Sequence, residues 1–319
     1  MKNPKIVCLG GGIGTINILN GIKKYSQDIS VVCSMADDGG SGGRLRRLFS
    51  VPPPGDLVNC LAALSGAPEN LRSLLAFRFK GNRYGRDDSI EGQKLGNLIL
   101  VALTSIHGDF NKALKEAEKL FSCHGKILPA TKENVSIWAK TIDGKKVFRE
   151  ETIDLGKYNG STKGLAEVHL QPEKATIPLE AKRAIEEADL IIAGPGDLYT
   201  TILPVLLVPG VRKAIKKSKA KKAFIVNVAN KPFETPNYCV FDYIKAIKTH
   251  CDEILFEHLL INNNYLPKMP KKLNYQYVVF DTKRLKKLNL QVKTGDFVDQ
   301  SFPLYHDSDK ISRAIMNIL

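Results

Sequence analysis

Apolar residues fall in short unbroken runs that alternate with amphipathic stretches. Residues 5–9 form a short apolar run ending in glycines, the pattern of a strand covered on both faces, and 29–35 reads as a second buried strand. Between them Ile18, Leu19 and Ile22 recur at helical spacing within 14–25, so a β-α-β unit is predicted. The pattern turns helical over 56–121, through Leu57, Leu61 and Leu64, then Leu95, Leu98, Ile99 and Ala102, then Phe110, Leu114 and Ala117. Over 126–170 short β-prone segments alternate with turn signals at Asp143-Gly144 and Asn159-Gly160, which predicts hairpins set apart from the main sheet. Alternation then returns, with helices predicted over 179–188, 211–217, 242–250 and 307–318 and strands over 189–193, 223–228, 254–261 and 277–280. This predicts an α/β fold with one Rossmann-like, doubly wound, mainly parallel sheet. A single domain over 1–319 would carry a helical insertion at about 56–122 and a small β excursion at about 126–170. Ligands of such sheets lie beyond the carboxyl ends of the strands, so motifs there matter most.

Composition changes this picture in one respect. With 43% hydrophobic and 25% charged residues the chain has the make-up of a soluble globular protein, which excludes disorder, collagen and coiled coil. Its net charge of +14 is unusual and points toward nucleic acid, an anionic membrane surface or a phosphate-rich ligand. The excess is C-terminal, since residues 201–319 carry 20 basic and 10 acidic side chains. Its densest stretch, 212–222, follows a helical pattern through Val211, Ala214 and Ile215. It therefore reads first as a solvated helix face, with nucleic acid as an unlikely partner. The six cysteines, Cys8, Cys33, Cys60, Cys123, Cys239 and Cys251, show no C-x-x-C spacing, which suits a reducing compartment. No apolar run approaches the roughly 20 residues that span a bilayer, and no signal-peptide pattern precedes residue 5. A cytoplasmic protein without a membrane span is expected, and a homo-oligomer is compatible with the sequence.

Four loops carry candidate chemistry. Gly10-Gly11-Gly12-Ile13-Gly14-Thr15 follows the first strand and opens a helix, where glycines let backbone N–H groups approach a phosphate; against G-x-G-x-x-G, Thr15 takes the third glycine position. Ala36-Asp37-Asp38-Gly39-Gly40-Ser41-Gly42-Gly43-Arg44 ends the second strand. Its glycines, Ser41, Arg44 and Arg46 suggest a second anion nest, and Asp37 and Asp38 suit ribose hydroxyls or a hard divalent ion such as Mg²⁺. Pro52-Pro53-Pro54-Gly55-Asp56 leads into a helix with Asp56 as the expected N-cap and Asn59 on its first turn. Gly194-Pro195-Gly196-Asp197-Leu198-Tyr199-Thr200 again lies between a strand and a helix. The six histidines fit no Ser-His-Asp or Cys-His arrangement and G-x-S-x-G is absent. Any chemistry is therefore expected to rest on phosphate positioning by backbone amides, Arg and a metal.

Together with Leu95-Gly96-Asn97-Leu98, these motifs resemble the YvcK/CofD-like family, closely over 5–130 and 185–212 and colinearly elsewhere. The resemblance implies one of two activities. The YvcK branch, called gluconeogenesis or morphogenesis factors and linked to cell shape, is cytosolic and binds UDP-sugars. The CofD branch is a magnesium-dependent 2-phospho-L-lactate transferase using a nucleoside-diphosphate-linked donor. Length and the P-P-P-G-D variant place the chain nearer the first, so a regulatory nucleotide-diphosphate (UDP-sugar) binder is expected, with a CofD-like transferase as the alternative. An NAD-dependent dehydrogenase fits less well. Gly11, Gly12 and Gly14, with Thr15, would form the first phosphate loop. Asp37 and Asp38 would meet ribose or metal, and Gly40, Ser41, Gly42 and Arg44 the diphosphate. Asn59 and Asn97 would orient the ligand, and Gly194, Gly196, Asp197, Tyr199 and Asn227 would close the opposite wall. The chain departs from the family where Gln93 replaces a usual His, and where His258 and Asp296 stand at positions expected to be aromatic and Arg.

Overall fold

Seven parallel strands form the centre of the molecule, and the apolar runs of the inner strands are what place them there. The computed structural model describes residues 3–157 and 164–319. The chain runs β1 (Lys5–Gly10), α1 (Gly12–Ile22), β2 (Asp28–Cys33), α2 (Gly40–Phe49), α3 (Gly55–Leu64), α4 (Glu69–Ala76), α5 (Leu95–His107), α6 (Phe110–Leu120) and β3 (Lys126–Pro129). There follow β4 (Ser136–Thr141), β5 (Lys146–Phe148), α7 (Glu150–Asp154), β6 (Leu165–Gln171), α8 (Leu179–Glu186), β7 (Leu190–Ala193), α9 (Leu203–Leu207), α10 (Pro209–Lys217) and β8 (Lys221–Ile225). The chain closes with β9 (Ala229–Asn230), α11 (Val240–Cys251), β10 (His258–Asn262), β11 (Gln276–Tyr277), α12 (Thr282–Leu285), β12 (Gln291–Gly295) and α13 (Ser308–Met316).

The main sheet has the order β12-β10-β8-β7-β1-β2-β3. Ile6, Val7, Cys8 and Leu9 of β1 and all four residues of β7 are buried, because helices cover both faces. The chain steps outward from β1 to β2 and β3, then returns to the other side of β1 with β7. This reversal opens a crevice between the carboxyl ends of β1 and β7, the place where sheets of this kind bind ligands.

Several expected boundaries shift. Residues 126–129 join the main sheet as its outer strand, since Ile127 and Leu128 are both buried, so the excursion is the antiparallel β5-β4-β6 sheet alone. Asp143-Gly144 turns the β4–β5 hairpin, whereas Asn159-Gly160 lies outside the described residues. The glycine-rich segment expected as a nest is the first turn of α2; a side chain at Gly43 would collide with the Asp38 carbonyl, so close packing explains a glycine that helix propensity disfavours. The strand expected at 277–280 is only β11, paired with β9, and β12 carries too few buried residues to show an apolar run. Among the described residues no single helix is long and apolar enough to cross a membrane. In the basic stretch, Arg212, Lys216 and Lys217 face Asp252, Glu253 and Glu186.

Candidate functional site

The two glycine loops meet at the crevice. Gly14 packs on the carbonyl of Pro195, and a side chain there would strike that backbone, so only glycine lets the β1–α1 and post-β7 loops touch. Asn227, just after β8, clamps the second loop from beneath: its amide accepts the Gly196 N–H at 3.0 Å and donates to the Gly196 carbonyl at 2.9 Å.

Over this contact lies a cleft of about 420 Å³ lined by the starts of α1, α2 and α3. Helices packed on a parallel sheet run antiparallel to its strands, so their N-termini gather at this end and supply unpaired N–H groups and positive dipole ends. The three starts are not equally open. At α1, the Gly11 N–H donates to Thr15 Oγ1 at 3.0 Å and the Gly12 N–H to the Asp56 carboxylate, so protein oxygens already occupy the first phosphate loop. At α2, no side chain caps the helix, and Gly40, Ser41 and Gly42 open directly onto the cleft.

The charges around α2 are mixed. Arg78, Arg83 and Lys94 line the cleft together with Asp37, Asp56, Glu150, Glu151, Asp154 and Asp197. Arg78 donates to Ser41 Oγ at 3.0 Å and the Gly92 carbonyl at 2.8 Å, whereas exposed Arg83 lies over the Tyr84 ring with no carboxylate within 4.0 Å among the described residues. Arg83 is the cation left available for an anion. Crowding of carboxyl groups moves their titration. Burial, with nearby Asp37, pushes Asp56 up to about 7, and burial raises Asp37 and Glu150, which hydrogen-bond to each other. Burial beside Arg78 lowers Lys94 to about 8, although its ammonium bonds Asn59 Oδ1. Behind Asp197, Lys231 pairs with Asp197 at 2.7 Å, with Asp154, and with buried Glu234 at 3.6 Å. These three carboxylates are the one group within 4.8 Å of one another among the described residues, and Lys231 already lies in their midst.

The profile of the family described as 2-phospho-L-lactate transferase CofD matches residues 6–298. The chain belongs to the CofD-like family. The gluconeogenesis factor of Bacillus subtilis is 39% identical over 325 residues, covering 100% of this chain and 99% of the relative. The putative gluconeogenesis factor of Aquifex aeolicus is 38% identical over 328 residues, covering 100% and 98%. A crystal structure of a UPF0052 family member from Bacillus halodurans has a TM-score of 0.90 at 35% identity, covering 99% of this chain and 100% of that one.

Against this CofD-like frame, the expected site residues divide. Gly12, Asp37, Gly40, Ser41, Gly42, Asn59, Asn97 and Asp197 line the cleft, and Gly14, Gly196 and Asn227 line a smaller cavity beside it. Asn97 is buried with Oδ1 unpartnered, as an amide awaiting a ligand would be. Asp38 does not join Asp37 on the cleft: its carboxylate accepts the Glu151 N–H at 3.0 Å and faces Arg149 at 3.4 Å, tying α7 to the segment between β2 and α2. Gly11 and Thr15 brace their own loop, and Gly194 packs against the Ile225 carbonyl. Tyr199 is buried, its hydroxyl 2.8 Å from that of Tyr238. Asp56 is not the helix cap that was expected; Pro54 holds that position, and the carboxylate turns to the glycine loop.

Arg44 is the clearest correction. Its guanidinium is buried and donates to the carbonyls of Glu91 at 2.6 Å, Asn82 at 3.3 Å and Ser89, so it pins the segment carrying Arg83 instead of meeting the diphosphate. Arg44→Met is expected to lower stability by about 2–4 kcal/mol, because three carbonyls lose the charged donor that a buried guanidinium brings to them. Urea denaturation measures this; a loss within about 0.5 kcal/mol would contradict the clamp. Arg78, Arg83, Lys94, Glu150 and Asp154, which line the cleft, and Lys231, which lines the smaller cavity, were missed because each reaches its place only through the fold.

Proposed function

We propose that this chain is a regulatory protein that binds a nucleoside diphosphate, in the form of a UDP-sugar, with its diphosphate against the start of α2. The observation that carries the reading is the uncapped α2 terminus, Gly40 to Gly42, facing the same cleft as the carboxylate-free Arg83. Relatives named gluconeogenesis factor support regulation. Six free thiols support a reducing, cytoplasmic setting. The cleft has more carboxyl groups than cations, a donor set that fits Mg²⁺, which takes oxygen ligands and keeps water. Asp37 would hold it, and the ion would neutralise diphosphate charge. Isothermal titration with UDP-N-acetylglucosamine, GDP and NAD, with and without Mg²⁺, tests the reading; no binding of any at millimolar concentration contradicts it.

One observation favours transfer as the second reading. Asp56 near 7 and Lys94 near 8 face one cleft and are suited to proton transfer near neutrality. Turnover of a diphosphate-linked donor that vanishes in Asp56→Asn would promote it.

Both groups set the pH dependence of binding. As pH rises from 6 to 9 Asp56 becomes an anion and Lys94 loses its charge, and both changes repel a diphosphate. Without divalent cations, affinity is expected to fall roughly tenfold over that interval, about 1–2 kcal/mol at surface-like screening. Titration calorimetry at several pH values checks this, and Asp56→Asn should remove the step near 7. An affinity that rises with pH would refute the assignment.

A further inference from the structure

The basic excess of the C-terminal part of the chain separates into two kinds of surface. Arg212, Lys216 and Lys217 are answered by carboxylates. Residues 264–293, by contrast, hold eight Lys and Arg against one acid, Asp281. Within that segment the exposed Lys283, Arg284, Lys286 and Lys287 have no carboxylate within 4.0 Å among the described residues. Leu285 of α12 is buried and Leu288 just after it packs on the core, so these four cations are turned outward.

Helix α11 extends this face. Phe241, Lys245 and Lys248 recur on one side of it, and the Arg284 guanidinium lies 4.2 Å over the Phe241 ring, which joins the two elements. Lys245 and Lys248 are exposed and also lack a carboxylate partner among the described residues. The acids of the two elements turn back to their own helix starts: Asp281 accepts the Lys283 N–H at 2.8 Å, and Asp242 accepts the Cys239 N–H at 2.9 Å. Six cations therefore share one surface, which repels itself until a polyanion covers it. Its rim is apolar. The Val279 carbonyl accepts the Val240 N–H at 2.9 Å, so Val279, 52% exposed, stands at the start of α11. Leu266, 89% exposed, is on the loop that the Tyr277 hydroxyl holds through the Pro267 carbonyl at 2.7 Å.

We propose that this face docks on an anionic lipid bilayer, with the six cations against headgroup phosphates and Val279 and Leu266 entering the interfacial layer. Surface docking of this kind adds charge attraction to a modest buried apolar area and needs no membrane-crossing helix. Nucleic acid suits the face less well. Phe241, the ring that would stack on a base, is already covered by Arg284, and a phosphate backbone offers nothing to exposed aliphatic side chains. The ligand cleft is built by the starts of α1, α2 and α3, so lipid docking and ligand binding are separable.

Co-flotation of the whole chain with vesicles tests this, using phosphatidylcholine alone and phosphatidylcholine with an equal part of phosphatidylglycerol. Binding is expected on the anionic vesicles only, and is expected to weaken at least about tenfold between about 50 and about 500 mM salt. Lys286→Gln with Lys287→Gln should weaken it about tenfold or more, whereas Lys216→Gln with Lys217→Gln, an equal loss of charge on the paired stretch, should leave it within about threefold. Leu266→Ser with Val279→Ser should weaken it about three- to tenfold without altering its response to salt. Because the comparison of vesicles uses the native chain, a variant that fails to fold does not decide the matter. Equal binding to both vesicles, or none to the anionic ones, overturns the proposal. Equal losses in the two lysine pairs would make the effect one of net charge and overturn the assignment of this face. Salt-sensitive retention on duplex DNA without vesicle binding would replace the lipid by nucleic acid and likewise overturn it.

Discussion

Lys231→Met is expected to cost about 3–5 kcal/mol of folding stability, because it strands three carboxyl groups around a mostly buried position. Glu234 is fully buried and, even beside Lys231, burial pushes it up to about 7. Removing the ammonium raises it further. A carboxyl whose folded pKa lies above its unfolded value costs the fold stability as pH rises between the two values; lifting Glu234 further extends that loss above 7, so the variant's deficit should grow as pH rises through 7 and shrink toward pH 5. The damage reaches the site as well, since Lys231 holds Asp197 at the cleft wall and Asp154 at the end of α7. Urea denaturation of both proteins at pH 5.5 and 8 measures the effect. A deficit below about 1 kcal/mol at pH 8, or one that does not change with pH, contradicts the role given to Lys231.

Arg83→Ala is expected to weaken UDP-sugar binding by about 10–100-fold while leaving the melting temperature unchanged, since a charged hydrogen bond is worth about 1.5–3 kcal/mol. The separation follows from placement. Arg83 is exposed and makes no ion pair among the described residues, so little folding energy depends on it. Arg78 gives a less clean test, because it also holds Gly92 and Ser41. Affinity within twofold of wild type in Arg83→Ala would remove the phosphate role from this residue.

The sheet was legible because its inner strands are rich in apolar residues, as in β1, β2, β7 and β10, and the reversal at β1 places the crevice. What escaped reading was set by contacts. The Gly40-Ser41-Gly42-Gly43 segment looks like a loop by propensity, and its close packing on the Asp38 backbone as a helix start exists only in the fold. Asp37 and Asp38 are adjacent in sequence and so invite one shared role, yet neighbouring side chains in an extended segment diverge, one to the cleft and one to α7. Arg44 and Arg83 are alike in charge. Their opposite uses, a clamp and an open cation, depend on the 77–94 segment, which has little regular structure to announce its course. His306, with Asp307, belongs to the colinear part of the family resemblance, but the unpaired state of its buried ring nitrogen exists only in three dimensions.

A larger groove of about 780 Å³ lies at the opposite, amino end of the sheet, lined by Lys5, Lys115, Lys126, Glu180 and Glu187 among others. It suits an anion poorly. The C-terminal ends of α6 and α8 border it with carbonyl groups, and Lys5 and Lys115 are already paired with Glu187 and Glu180. The two grooves are distinguished by a crystal structure grown with UDP-N-acetylglucosamine and Mg²⁺. The diphosphate is expected against the N–H groups of Gly40, Ser41 and Gly42, within reach of Arg83. A ligand seated between Lys5 and Lys126, with the α2 terminus free, would contradict the assignment of the site.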